Sequence, residues 1–586
     1  MLVSSRIFRG VGGERVEPVR ERSRGHERAL ERRWSKLVVW LTVAISVVPV
    51  LLDLASDPKY RPFGYAAGDT FYYLGVARIA IEHGSLSLDG LHASNGFHPL
   101  WQLICVAIYG ACRLVAGPDA ALPLSVLVSL ACVAGAVWLL GESFRRATGG
   151  IPAAFVLLPI GVYAMLASYY WRIGPPNANG GLEGPLPVYG TLYSYANGME
   201  SGLVVLALAL LCATLVRYEG ESSYRAGLRC GAACAAVCLA RLDHAAFVLT
   251  PLVLWGVELA HDRRRYRFLI AALSAAVAPV ALYLLVNLLY AGTALPVSGA
   301  EKSRFPMPYL DQIGYAIQLL RAPLAPMDPP LVYRILPMVL CPLWAVGYVA
   351  IVTRVHVGAR GVTWAMRGFA TRLDAFLVKM APGVVLLAVY DLIYVFGVGH
   401  WYFPVSTLYL SLTSLSLIRA ASRPFRFDRA RAAATALVLG CAALVLFVRF
   451  QHKPDYHRKF AEFYWETAPR VRRELGVQVP KLVEFDDGII AYSLGVPSVS
   501  GFGYVLDAEA QRAKRARQLF DVAYHRGFRA VSTFYYAPHG TLRQAGQDAA
   551  RRWAAELFGE DLSGYRAAVL YEDPTFTIVG LTKQGT

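Results

Sequence analysis

The feature that most constrains this chain is a repeated alternation of uncharged apolar stretches with clusters of Lys and Arg. Stretches of membrane length, or close to it, run at about 37–54, 98–116, 121–141, 151–168, 201–216, 245–260, 268–290, 331–353, 376–396, 402–418 and 433–448. A weaker one, 228–240, is rich in Ala and Cys. Between them lie Arg145 and Arg146, Arg217 to Arg229, Arg263 to Arg267, Arg354 to Arg372, and Arg419 to Arg431. Short loops rich in Lys and Arg stay on the cytoplasmic side. If every strong stretch crossed, Arg145 and Arg146 would fall outside. Laying 98–116 along the outer surface brings every cluster inside, provided that 228–240 crosses. This parity count predicts about eleven spans, an internal N-terminus and an external C-terminus.

Composition agrees. Hydrophobic residues make up 56% of the 586 and charged residues 17%, against roughly a quarter charged in a soluble domain. Disorder is excluded, and nine cysteines, all within apolar or helical stretches, exclude a disulfide scaffold and read as small core residues. The net charge of +17 would fit nucleic acid in a soluble protein; here much of it sits in loops that the count places inside. Residues 1–36 carry ten Lys/Arg and five Glu. Asp53 and the lack of small residues at a cleavage position favour a signal-anchor over a signal peptide. Three regions follow: a basic cytoplasmic arm (1–36), a membrane domain (37–448) with external loops 55–120, 169–200 and 291–330, and an external soluble segment (449–586). The last mixes amphipathic helical stretches (Asp455 to Leu475, Leu506 to Arg526) with short strand-like runs (Lys481 to Phe485, Arg529 to Phe534, Phe576 to Leu581). It reads as a small α/β domain. The fold class is therefore an all-α polytopic membrane bundle with a C-terminal extracytoplasmic α/β domain.

Polar residues that approach the membrane from the outer side are the candidates for chemistry. The first loop carries Gly68-Asp69-Thr70-Phe71-Tyr72-Tyr73, then Ala77-Arg78, then Asn95-Gly96-Phe97-His98-Pro99-Leu100-Trp101. Asp69 opens a helical run. It is either an N-cap or a partly desolvated carboxylate fit for general-base work, and one residue can be both. Glu200 opens the next span in Gly198-Met199-Glu200, where helix-dipole stabilisation is the plain account. Arg241 and Asp243, in Ala240-Arg241-Leu242-Asp243-His244, are charges close to hydrocarbon. They mark a functional site or a structural ion pair. Lys302 and Arg304 follow the turn Leu295-Pro296-Val297-Ser298-Gly299, as snorkelling cations or as partners for a phosphate ester. His400 lies at the same face, beside Trp401 and Tyr402, which read as aromatic-belt residues.

In this order, these motifs resemble the bacterial GT-C type integral-membrane glycosyltransferases. Within that superfamily they are similar to the mycobacterial cell-wall arabinofuranosyltransferases and their uncharacterised relatives. The resemblance covers about residues 35–420. It implies a polyprenyl-phosphate sugar donor, a cell-envelope glycan or glycolipid acceptor, and inverting transfer on the extracytoplasmic side of the bacterial cytoplasmic membrane. By the same resemblance Asp69 is the general base, Glu200 the second catalytic acid, and Lys302 a partner of the donor phosphate. Arg304, Arg241, Asp243, His98, Asn95, His400 and Tyr73 are expected at the donor or substrate. Related first loops often carry two adjacent acids. Gly68 replaces one here, which puts a metal site on that pair in doubt, although a divalent cation remains possible.

Two other classes of function stay open on the residues alone. A transporter or lipid flippase would use Arg241 and Asp243 as a gate, although no inverted repeat is visible. A non-enzymatic assembly protein would use the external segment to bind cell-wall polymer.

Overall fold

A computed structural model of the chain describes residues 17–161, 191–218, 221–261, 265–322, 329–357, 371–395, 402–422, 435–437, 439–440, 458–476, 479–534, 541–574 and 576–585. The membrane part is helical. Helix α1 (Glu17–Ser56) leads into the short α2 (Arg61–Tyr65), then α3 (Thr70–His83), α4 (Pro99–Val115) and α5 (Ala121–Thr148). After the second loop come α6 (Ser201–Arg217), α7 (Tyr224–Ala240), α8 (Ala245–His261) and α9 (Tyr266–Ala291). The short α10 (Val297–Lys302) and α11 (Leu310–Arg321) precede α12 (Pro329–Val357), α13 (Arg372–Tyr394) and α14 (Pro404–Ser422).

Five segments among the described residues are long and apolar enough to cross a membrane: Glu31–Ser56, Pro118–Thr148, Tyr266–Ala291, Arg334–Thr353 and Arg372–Tyr394. That is fewer than the parity count. The expected span 151–168 begins instead as a 3-10 turn, Ala153–Leu157, after Pro152, and 162–190 lie outside the described residues. Most of 433–448 also lies outside them. Helices α6, α7 and α8 are each 17 residues long.

The weak stretch 228–240 does form a helix, and its composition has a packing reason. Gly227 and Gly231 bring α7 so close to α9 that a Cβ on either would lie 2.2 and 2.1 Å from the carbonyl oxygens of Phe268 and Ala272. Small residues four apart let two backbones approach, which is a main source of helix association where lipid replaces water. Such a helix is buried by its neighbours and needs little hydropathy of its own. Helix α9, in contrast, leaves Leu282, Leu285, Val286 and Leu289 exposed, an apolar face suited to lipid.

The C-terminal segment holds a five-stranded sheet in the order β2-β1-β3-β5-β4, from β1 (Leu482–Glu484), β2 (Ser498–Ser500), β3 (Ala530–Thr533), β4 (Tyr565–Glu572) and β5 (Thr577–Lys583). Strand β1 pairs in parallel with β2 and β3, while β5 pairs antiparallel with β3 and β4. Strands β1, β3 and β5 match the three strand-like runs of the sequence. The helices here are α15 (Arg458–Glu462), which continues through a π turn into α16 (Ala468–Leu475), α17 (Ile489–Leu494), α18 (Ala508–Arg515), α19 (Leu519–His525), α20 (Leu542–Ala545) and α21 (Gln547–Phe558).

This segment shares a core with the first loop. Phe63, Phe71, Tyr72 and Leu74 pack in one buried cluster with Phe460, Phe463, Ile489 and Tyr492. Arg78, buried in α3, donates to the carbonyls of Tyr492 (3.2 Å) and Val496 (2.7 Å), so its guanidinium caps the C-terminal end of α17. The C-terminal segment thus forms a roof over α3 and α4.

Candidate active site

Under that roof is a cavity of about 710 Å³. Its carboxylates come from loops one and two, which are joined through the backbone. The Asn197 carbonyl accepts from the Ala67 amide (3.1 Å) and the Thr70 hydroxyl (3.0 Å). The turn that follows needs Gly198, at φ 74°, where a Cβ would lie 2.9 Å from Thr70 Cγ2. The Trp101 indole, fully buried, donates to the Gly198 carbonyl at 3.0 Å and ties α4 to the same turn.

Asp69 occupies the N-cap position of α3, but its carboxylate makes no cap bond; the Tyr72 amide bonds to the Asp69 backbone carbonyl instead (3.2 Å). The carboxylate faces the cavity and pairs with Lys302 Nζ at 3.1 Å. Burial pulls the Lys302 ammonium down, yet the Asp69 charge more than offsets it, and its pKa is raised. Lys302 Nζ also sits 4.6 Å from the centre of the Tyr504 ring and 5.8 Å from that of Tyr402.

Glu200 likewise occupies an N-cap position without capping. It is 1% exposed; it accepts from the Tyr73 hydroxyl (2.9 Å) and pairs with Arg241 (3.0 Å). Arg241 also donates to both oxygens of Asp243 at 3.0 Å, and its guanidinium lies 3.8 Å from the centre of the Tyr402 ring. Burial favours the neutral form of Asp243, but the Arg241 charge outweighs it and holds the carboxyl below the usual range. His98 Nε2 stands 3.8 Å from Glu200, while among the described residues its buried Nδ1 has no partner. Burial lowers the His98 pKa, only partly offset by Glu200, so the imidazole is neutral at neutral pH.

Seven residues singled out from the sequence therefore line one cavity: Asp69, Tyr73, His98, Glu200, Arg241, Asp243 and Lys302. Two do not. Asn95 is 1% exposed and straps loop one to the turn before α10, donating to the Thr293 carbonyl (2.8 Å) and accepting from the Val297 amide (3.3 Å). It thereby holds the start of α10, the helix that ends at Lys302. Arg304 turns away and stacks on Tyr309, 4.6 Å from the ring centre. His400 lies outside the described residues. The sequence reading missed the aromatic wall (Tyr390, Tyr394, Tyr504) and Arg515, and it took Tyr402 for a belt residue. Tyr504 and Arg515 come from the roof, far along the chain, and no local motif there announces them.

Among the described residues, the carboxylates of the cavity already have cationic partners. Asp69 is held by Lys302 and Glu200 by Arg241. The position beside Asp69 is Gly68, where a Cβ would lie 1.9 Å from Asp487 Oδ2. One group of possible ligands is found elsewhere among the described residues, Asp89, His92 and Asp507, and Arg526 pairs with both of its acids.

No protein-family model matches the chain, and neither does any curated protein sequence. Solved structures resemble it along most of its length. ArnT from Cupriavidus metallidurans bound to undecaprenyl phosphate is 12% identical, with a TM-score of 0.47 over 93% of this chain and 97% of that one. The same protein in its apo state is 13% identical, with a TM-score of 0.49 over 94% and 98%. The archaeal oligosaccharyltransferase AglB from Archaeoglobus fulgidus, in complex with an inhibitory peptide and a dolichol-phosphate, is 14% identical, with a TM-score of 0.42 over 95% and 75%.

Proposed function

We propose that this protein is a membrane glycosyltransferase. It moves a sugar from a polyprenyl-phosphate donor to a cell-envelope glycan or glycolipid on the extracytoplasmic side, with inversion and with Asp69 as general base. The observation that carries this reading is the contrast between the two acids. Glu200 is pinned by Arg241 and Tyr73, whereas among the described residues the Asp69 carboxylate pairs with one side chain, a lysine on a short helix.

That contact gives an order of events. The phosphodiester that joins lipid to sugar in the donor brings negative charge, which competes with Asp69 for Lys302. Donor binding then draws the ammonium to the phosphate and frees the carboxylate. The acceptor hydroxyl attacks the anomeric carbon from the face opposite the phosphate while its proton passes to Asp69. The carbon–oxygen bond to phosphate breaks as the new glycosidic bond forms, and the lipid phosphate leaves with its charge held by Lys302 and Arg515. A phosphate leaving group needs neutralising charge rather than a proton. Glu200 and Arg241 fix the cavity wall, and neutral His98 orients a sugar hydroxyl. Phe305 and Tyr394 line the cavity, and Leu295, Phe305 and Met307 are exposed apolar residues beside it, a path by which a lipid tail enters from the bilayer. The motif resemblance makes polyprenyl-phosphate arabinofuranose the first donor to test.

The decisive experiment is transfer by purified protein in nanodiscs with Asp69→Asn. General-base help is worth about 10²–10⁴-fold, so turnover falls by that range in a protein that still folds, with a melting temperature lowered only by the lost charge pairing to Lys302. A fully active Asp69→Asn protein would remove Asp69 from the mechanism.

A further inference from the structure

A second cleft, of about 740 Å³, opens on the roof next to the first cavity. Its walls are aromatic. Phe502, Tyr504 and Trp553 are partly exposed to it, over a floor where the Phe485 and Phe558 rings pack with centres 4.9 Å apart. Its acids are Glu301, Glu556 and Glu560, against one cation, Lys514, among the described lining residues.

Most of these charges are committed. Lys514 pairs with Glu301 at 2.7 Å and also donates to the Phe502 carbonyl. Glu560 accepts from the amides of Leu519 (2.6 Å) and Phe520 (3.1 Å). Glu556 is exposed, and among the described residues its carboxylate has no partner. The cleft therefore offers apolar ring faces and one available carboxylate in a setting of net negative charge. That disfavours phosphates and nucleotides, and it matches a neutral sugar, whose C–H face stacks on aromatic rings and whose hydroxyls donate to carboxylates.

The cleft and the cavity share a wall. Tyr504 lines both, and adjacent residues of α10 serve one each: Glu301 faces the cleft and Lys302 the cavity. We propose that the cleft is a binding site for a neutral oligosaccharide, and that it holds the acceptor glycan so that its terminal hydroxyl reaches Asp69. The acceptor role rests on the transfer reading above; the binding of saccharide does not.

The test uses the full chain in nanodiscs, titrated with short linear arabino-, manno- and gluco-oligosaccharides. At least one series is expected to bind. Trp553→Ala should weaken that binding about tenfold and Trp553→Phe, which keeps a stacking ring, about threefold or less. In the transfer assay Trp553→Ala should raise the acceptor KM about tenfold with kcat within about twofold. Should Trp553→Ala fail to fold, Glu556→Gln on the exposed surface reads the same site, with binding weakened about threefold. No binding by any series, or binding indifferent to these changes, overturns the proposal. The two readings fail separately. Saccharide binding that depends on Trp553, in a protein that transfers nothing, leaves the cleft and removes the transferase. Transfer with native kinetics in Trp553→Ala does the reverse.

Discussion

Two carboxylates sit at the same kind of position, the residue before a helix, and the protein uses them differently. Neither accepts a bond from its own helix. Glu200 lies in a buried chain from Tyr73 through Arg241 to Asp243, with Glu200 and Arg241 at 1% and 2% exposure. Removing one partner of such a pair strands the other charge in low dielectric, at a cost of about 3–5 kcal/mol, whereas replacing both by apolar groups is close to neutral. Arg241→Met alone should therefore lower the melting temperature sharply. Combining it with Glu200→Gln should recover only part of the loss, because Asp243 still lacks its Arg241 partner. Thermal melts of the three variants in nanodiscs check this, and additive losses would show that the pair is not coupled. At this scale the sequence was readable as residue type: seven of the polar residues singled out from it line one cavity. What it left open was partner choice. Nothing local to Asp69 tells that its carboxylate ignores the amides beside it for a lysine 233 positions away.

Among the elements, α17 shows how the roof is locked to the membrane part. Its start is held by Glu484, fully buried, which accepts from the Ile490 (2.9 Å) and Ala491 (3.2 Å) amides; its end is held by Arg78 of α3. Burial pushes the Glu484 carboxyl up to about 7, although those two amides and Arg78 lower it and Asp487 raises it. Neighbouring Asp486 is also raised by burial, with Glu484 adding to it. A pKa raised on folding contributes stability that is full below the unfolded value, 4.5, and lost as pH rises through about 7. The roof should therefore melt earlier at pH 8 than at pH 5, with Glu484 supplying at most about 3 kcal/mol of the difference. Glu484→Gln should flatten that slope, and a wild-type melting temperature that rises between pH 5 and pH 8 would refute the assignment. The strands around α17 were legible because β1, β3 and β5 are short apolar runs with turn residues at their ends. Strand β4 and helix α17 were not, since the tertiary contacts that stabilise them come from β5 and from α3. In the membrane part, length and hydropathy located most helices, but 151–161 forms a 3-10 turn at Ala153–Leu157 and not an α-helix.

At the scale of the whole molecule, the C-terminal segment and the first loop form one body around the site. They approach closely at glycines whose missing side chains are filled by the partner. A Cβ at Gly68 would meet the Asp487 carboxylate at 1.9 Å, and one at Gly96 would meet the Tyr504 carbonyl at 2.0 Å and Val505 Cα at 2.9 Å. The two contacts differ in what can yield. At Gly68 the obstacle is a side chain; at Gly96 it is backbone, in the stretch that brings Tyr504 and Val505 to the cavity. Gly96→Ala should therefore lift this edge of the roof, since overpacking by even one methyl costs about 1–3 kcal/mol where the neighbour cannot move. Transfer should fall in both variants. In Gly68→Ala it should return when Asp487→Gly removes the obstructing side chain, while Gly96→Ala should stay impaired in that background. Hydrogen exchange separates this from general unfolding: amides of 504–506 should lose protection in Gly96→Ala while those of α6 and α9 keep theirs. Native transfer by Gly96→Ala would mean that the roof contributes nothing to the site beyond covering it.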